Sequence, residues 1–296
     1  MSPSIATTLS GKIVASAMRR RINRLSKEST ISSAISTLIK HKIGGLIVMD
    51  ESRHPVGVVS KTNIAGAYYA SLPLDSPLEY IMTSPPLFCH LDDPLEEALG
   101  RMKDNQIYRL YVKDPDNDAV VGALAYPDIV GLLYELCSRC PKSIFRPANG
   151  SKAEHGERSL IGGCMTREIK SVAADYLLEQ VLEELALHHI GAILVVDDTG
   201  RGVGVISKTD LILAYNHGVP LDTPAAEVMS VPIRSCREDD MLEEAIRSMI
   251  FSDVHRLFVK DSKTEDIIGV FSLTDAARNR SGSCQACIIS RIQITP

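Results

Sequence analysis

Gly57-Val-Val-Ser-Lys-Thr-Asn63 and Gly204-Val-Ile-Ser-Lys-Thr-Asp210 are one phrase written twice, 147 residues apart. Two β-branched residues followed by serine, with an Asx three positions later, read as a strand that ends where a helix begins. The serine hydroxyl can take the N–H groups of the first helical turn. The same offset carries Met82 to Met229, Arg109 to Arg256 and Asp128 to Asp275, so the halves of the chain are duplicates. Within each half an offset of 65 takes Ser60 to Ala125, Asn63 to Asp128, Ser207 to Ser272 and Asp210 to Asp275. The chain is four units in two pairs.

Upstream of each phrase the apolar residues recur at i, i+3, i+4 and i+7, the spacing of a buried helical stripe. They are Ile31, Ala34, Ile35 and Leu38 in the first unit and Leu95, Ala98, Leu99 and Met102 in the second. Leu178, Val181, Leu182 and Leu185 repeat the stripe, as do Leu242, Ala245, Ile246 and Met249. Two short runs rich in β-branched residues follow each helix, such as Leu46 to Met49 and Val56 to Val59, and predict a hairpin. A short extended segment around Met18, Met82, Met165 or Met229 precedes each unit. The predicted fold is α/β of the α+β kind, built from four strand-helix-strand-strand-helix units. Their boundaries are 11–70, 76–140, 159–217 and 223–283, with a linker over 141–158 and a cysteine-containing tail over 284–296.

The 296 residues divide into roughly two domain-sized pieces, each able to bury a core. With 45% hydrophobic and 23% charged residues the composition is that of a folded globular chain. Apolar runs are strand-sized, against the ~20 residues of a membrane helix, and the N-terminus lacks the pattern of a secretory signal. A cytoplasmic location is therefore expected. A net charge of −5 gives no general attraction to nucleic acid or acidic membranes.

The unit that runs from Met165-Thr166 to Gly204-Val-Ile-Ser-Lys-Thr-Asp210 resembles the CBS motif, named for cystathionine β-synthase, and four copies in register cover nearly the whole chain. The resemblance implies units paired about pseudo-twofold axes into two Bateman modules. It implies adenosine-containing ligands (AMP, ADP, ATP or S-adenosylmethionine) bound in clefts between paired units, with no catalysis and no required cofactor. It further implies a homodimer through the modules and, since no enzyme or channel domain accompanies the repeats, a regulated protein in trans.

By the same resemblance, the carboxylates at Asp128, Asp210 and Asp275 hold ribose hydroxyls, with Asn63 in that place in unit one. Ser60, Ser207 and Ser272 open the helices whose first turns attract phosphate, and Thr166 follows the lead-in methionine. Arg109, His255 and Arg256 stand where family members present a His-Arg pair to phosphate. The same Ser-x-x-Asp pattern is also a plain helix cap, and the arginines are equally suited to surface ion pairs. Lys61 and Lys208 are read as solvated. Unit two departs from the pattern, with Ala125 for the hydroxyl residue, and its position is expected to bind weakly or differently.

Cys137-Ser-Arg-Cys140 and Cys284-Gln-Ala-Cys287 are related by the 147-residue offset. Two such pairs suit zinc, an iron–sulfur cluster or a thiol switch if the fold unites them, and copied inert thiols otherwise. They define the alternative function, a metal or redox sensor. The basic run Met18-Arg-Arg-Arg-Ile-Asn-Arg24 is particular to unit one and is read as a solvated edge.

Overall fold

Each predicted helix stripe becomes the inner face of a helix that crosses over a small sheet. Repeat 1 consists of β1 (Arg24–Ser26), α1 (Ile31–Lys40), β2 (Gly45–Met49), β3 (Pro55–Ser60) and α2 (Lys61–Tyr69). Repeat 2 has β4 (Phe88–His90), α3 (Leu95–Asp104), β5 (Arg109–Lys113), β6 (Val120–Ala125) and α4 (Tyr126–Arg139). Repeat 3 has β7 (Ser171–Ala173), α5 (Leu178–Leu187), β8 (Ala192–Val196), β9 (Gly202–Ser207) and α6 (Lys208–Asn216). A one-turn helix, α7 (Ala225–Val228), leads into repeat 4, with β10 (Ser235–Arg237), α8 (Leu242–Phe251), β11 (Arg256–Lys260), β12 (Ile267–Ser272) and α9 (Leu273–Arg278). The computed structural model describes residues 11–139, 160–252 and 254–278, so the linker and the tail lie outside the described residues.

Every repeat carries a three-stranded sheet in which the first strand runs parallel to the second and the second antiparallel to the third. Parallel pairing needs a crossover, which the first helix supplies, and the hairpin needs only its polar break. Each third strand ends at the N-cap of the second helix.

The lead-in segments do not stay with their own repeats. Arg19 bridges to Ala123 in repeat 2, while Thr83, which precedes repeat 2, bridges to Val58 in repeat 1. Thr166 pairs with Val270 of repeat 4 and Ser230 with Val205 of repeat 3. Neighbouring repeats thus exchange their opening segments. Glycine is required where the exchanged methionine lands. A Cβ on Gly57 would lie 2.5 Å from Met82 Sδ, and a Cβ on Gly122 or Gly269 would lie 2.6 Å from Met18 or Met165 Sδ.

Packing gathers alternate repeats into two compact units. Repeats 1 and 3, with the lead-ins that end at Leu87 and Ile233, form one; repeats 2 and 4, with the lead-ins that end at Arg21 and Glu168, form the other. The 1–3 unit has one continuous core that joins α1, α2, α5 and α6 through Ile35, Leu38, Ile64, Leu182, Leu185 and Ile212. The 2–4 unit has two cores, one around Leu99, Met102 and Leu124 and one around Met249, Leu257 and Phe271.

Candidate functional site

The repeated phrase is a helix cap built from both sides. In repeat 1 the Asn63 N–H donates to Ser60 Oγ at 3.3 Å, while the Ser60 N–H and hydroxyl donate to Asn63 Oδ1 at 2.9 and 2.6 Å. Asp210 accepts the Ser207 N–H at 2.7 Å and its hydroxyl at 2.6 Å, both on Oδ2. Asp275 accepts the Ser272 N–H at 2.9 Å and its hydroxyl at 2.6 Å, again on one oxygen. Each acidic side chain therefore spends one oxygen on the cap and keeps a second for something else.

The residue after the exchanged methionine meets that second atom. Thr83 Oγ1 accepts the Asn63 amide at 3.0 Å, and the Ser230 hydroxyl donates to Asp210 Oδ1 at 2.7 Å. Arg19 Nε donates to Asp128 Oδ1, whose other oxygen accepts the Ala125 N–H at 2.9 Å. In repeat 4 the corresponding residue is Thr166, and Asp275 Oδ1 has no hydrogen-bond partner among the described residues. Thr83, Ser230 and Arg19 escape a reading of the Ser-x-x-Asp phrase alone. Aligning the residues that follow Met18, Met82, Met165 and Met229 would have found them.

The remaining predicted residues converge in the 2–4 unit. Arg109 and Arg256 open β5 and β11, paired with Ala125 and Ser272 at the two caps. Arg256 is close enough to Asp275 for their charges to interact, and burial lowers the pKa of its guanidinium against that attraction. His255 stacks on Tyr108, its counterpart in repeat 2, with ring centroids 5.8 Å apart, and Tyr108 also meets Tyr126 at 5.2 Å. Burial raises the pKa of the Tyr108 hydroxyl, with the nearby Arg256 and Arg109 opposing. A carboxylate oxygen beside a desolvated arginine is a suitable receptor for a hydroxyl and an anionic group carried by one molecule.

The equivalents in the 1–3 unit are Gly44-Gly45 and Gly191-Ala192, which bring no charge to the strand starts. Here the lysines expected to be solvated cross between repeats. Lys61 Nζ bonds Thr209 Oγ1 at 2.7 Å and Lys208 Nζ bonds Thr62 Oγ1 at 2.9 Å. The correction has a tertiary cause: α2 and α6 pack on each other, which places each lysine against the partner helix's first turn. Tyr68 and Tyr215 stack at 4.9 Å, and their hydroxyls donate to Val219 and Leu72 carbonyls.

The side chains of Cys137, Cys140, Cys284 and Cys287 lie outside the described residues. Among the described residues no cluster of His, Cys, Asp or Glu could hold a metal ion. Burial pushes Cys89 and Cys236 up to about 12, so both remain thiols at neutral pH. No helix among the described residues is long and apolar enough to cross a membrane.

Four segments match the family model for the CBS domain: residues 14–70, 78–135, 161–217 and 225–282. This chain belongs to the CBS-domain family. The chain is 27% identical over 195 residues to the 5'-AMP-activated protein kinase subunit gamma-3 of Sus scrofa, covering 62% of this chain and 36% of that protein. The match to the human subunit is also 27% identical and covers 37% of it, so the chain spans little more than a third of these relatives. Among solved structures, protein MJ1225 from Methanocaldococcus jannaschii shares the fold with a TM-score of 0.73 at 18% identity, over 90% of this chain and 98% of that one.

Proposed function

We propose that this CBS-domain chain is a non-catalytic regulatory sensor that binds an adenosine-containing ligand, with AMP as the first candidate. The observation that carries the reading is repeat 4 of the 2–4 unit. Ser272 fixes Asp275 through one oxygen, the second oxygen has no partner among the described residues, and Arg256 stands near it. A ribose hydroxyl would donate to Asp275 Oδ1 while a phosphate or carboxylate on the same ligand pairs with Arg256 and His255. Asp210 offers the same chemistry once Ser230 rotates away. The kinship with subunits of a kinase named for activation by AMP supports the choice of ligand.

In this reading the chain works in the cytoplasm as a homodimer and passes ligand occupancy to a separate protein by a shift in packing, which requires different affinity in two states. Isothermal titration calorimetry with AMP, ATP and S-adenosylmethionine tests it. Binding of one of the three, weakened at least tenfold by Asp275→Ala, is expected. No heat with any of them, and no adenosine compound in mass spectra of the protein as purified, would remove the reading.

A further inference from the structure

We infer that Arg19 is a specificity-determining residue that closes the Asp128 carboxylate of repeat 2 to a sugar hydroxyl by occupying it from within the chain. Two departures from the repeat pattern, far apart in sequence, meet on this one side chain. The first is Ala125, which deprives Asp128 of the serine hydroxyl that donates at 2.6 Å in each of the other three repeats. The second is Arg19, which stands where the other lead-ins place Thr83, Thr166 and Ser230.

A carboxylate that loses one hydrogen bond while buried needs another partner. Asp128 is 5% exposed and Arg19 is 64% exposed, so the guanidinium lies over the acid as a cover with its far side in solvent. Arg19 Nε reaches Asp128 Oδ1, the oxygen equivalent to the one Ser230 touches on Asp210 and to the one on Asp275 that has no hydrogen-bond partner among the described residues. A neutral hydroxyl of a ligand would have to displace a charge-assisted bond there, whereas at Asp210 it exchanges one hydroxyl for another. The exchange of lead-in segments is what makes this possible, because it carries Arg19 from the front of repeat 1 onto repeat 2.

The inference rests on the sensor reading for its ligand, and the experiment separates the two. The full chain, Arg19→Thr, Arg19→Ser and Arg19→Thr/Asp128→Asn are titrated with AMP by calorimetry, each first checked for a cooperative melt. Expected is one molar equivalent more for both single variants than for the parent chain, lost again in the double variant. Unchanged stoichiometry in folded single variants overturns the closure by Arg19 and leaves the sensor reading intact. A parent chain that binds none of AMP, ATP and S-adenosylmethionine defeats the sensor reading alone, and a new AMP equivalent in the single variants still supports the closure. Should neither single variant fold, the Arg19 Nε–H resonance of the AMP-saturated parent chain decides: no shift supports the closure, and a shift on saturation overturns it.

Discussion

The two compact units descend from the same duplication and close their internal axes differently. In the 1–3 unit the contacts between the closing helices match under the offset: Lys61 meets Thr209 as Lys208 meets Thr62, Tyr68 stacks on its own counterpart Tyr215, and the two tyrosine hydroxyls reach Val219 and Leu72. These are self-equivalent positions under the 147-residue offset, and one core runs through both repeats. In the 2–4 unit the equivalent positions have diverged. Tyr108 stacks on His255, Tyr126 corresponds to Leu273 in the pattern, and Tyr126 packs against both cores. Lys61 and Lys208, which match across the 1–3 unit, are replaced at the equivalent positions of the 2–4 unit by Tyr126 and Leu273.

The largest expected effect breaks the symmetric side. Tyr68→Ala removes a buried ring and its stack and should cost about 3 kcal/mol or more, read as a lower midpoint in urea unfolding. Tyr68→Phe, which deletes only the 2.7 Å bond to Val219, should cost about 1 kcal/mol. If Tyr68→Ala cost no more than Tyr68→Phe, the stack would not be what fastens repeats 1 and 3. Next comes Gly57→Ala, whose added methyl must displace Met82 at about 1–3 kcal/mol. The corresponding Gly122→Ala displaces Met18 in the 2–4 unit and also meets the Arg19 carbonyl oxygen at 3.0 Å, so a loss at least as large is expected there, measured by thermal melts. The exchanged methionine is a feature that both units share.

Much of this was legible in the sequence. The duplication, the four helix stripes, the hairpins and the caps at Ser60, Ser207 and Ser272 all follow from local periodicity and side-chain chemistry, and they recur in the folded chain. The partners of the capping side chains at Asn63, Asp128 and Asp210 were not legible. Asn63, Asp210 and Asp128 are answered by residues 20 or more positions away, delivered by a segment whose own unit gives no hint of where it docks. Lys61 was misjudged for the same reason, since nothing near it in sequence reveals Thr209.

A smaller effect distinguishes the two sides by pH. Burial raises the folded pKa of Asp128 above its ordinary value even though Arg19 and Arg109 oppose the shift. An acid with a raised folded pKa supports the fold most fully below its unfolded pKa, and that support fades as pH rises through the folded value. Removing the arginine raises the folded pKa further. Arg19→Thr should therefore be close to the parent in stability near pH 4 and fall behind by about 1–2 kcal/mol at pH 8. The figure is discounted because the guanidinium is largely exposed. A deficit that shrank with rising pH would contradict the ion pair. Smallest of all, Thr62→Ala and Thr209→Ala should each cost about 0.5–1 kcal/mol in the 1–3 unit, with no change in AMP binding by calorimetry.

The sequence by itself determined the repeat, the order of elements and the capped helix starts, because these depend on residues within a turn or two of one another. Only the tertiary structure decided that lead-in segments trade places and that alternate repeats share compact units. It alone made Arg19 the partner of Asp128. Those choices depend on which surfaces meet after collapse, and a carboxylate's nearest donor in space can come from any point along the chain.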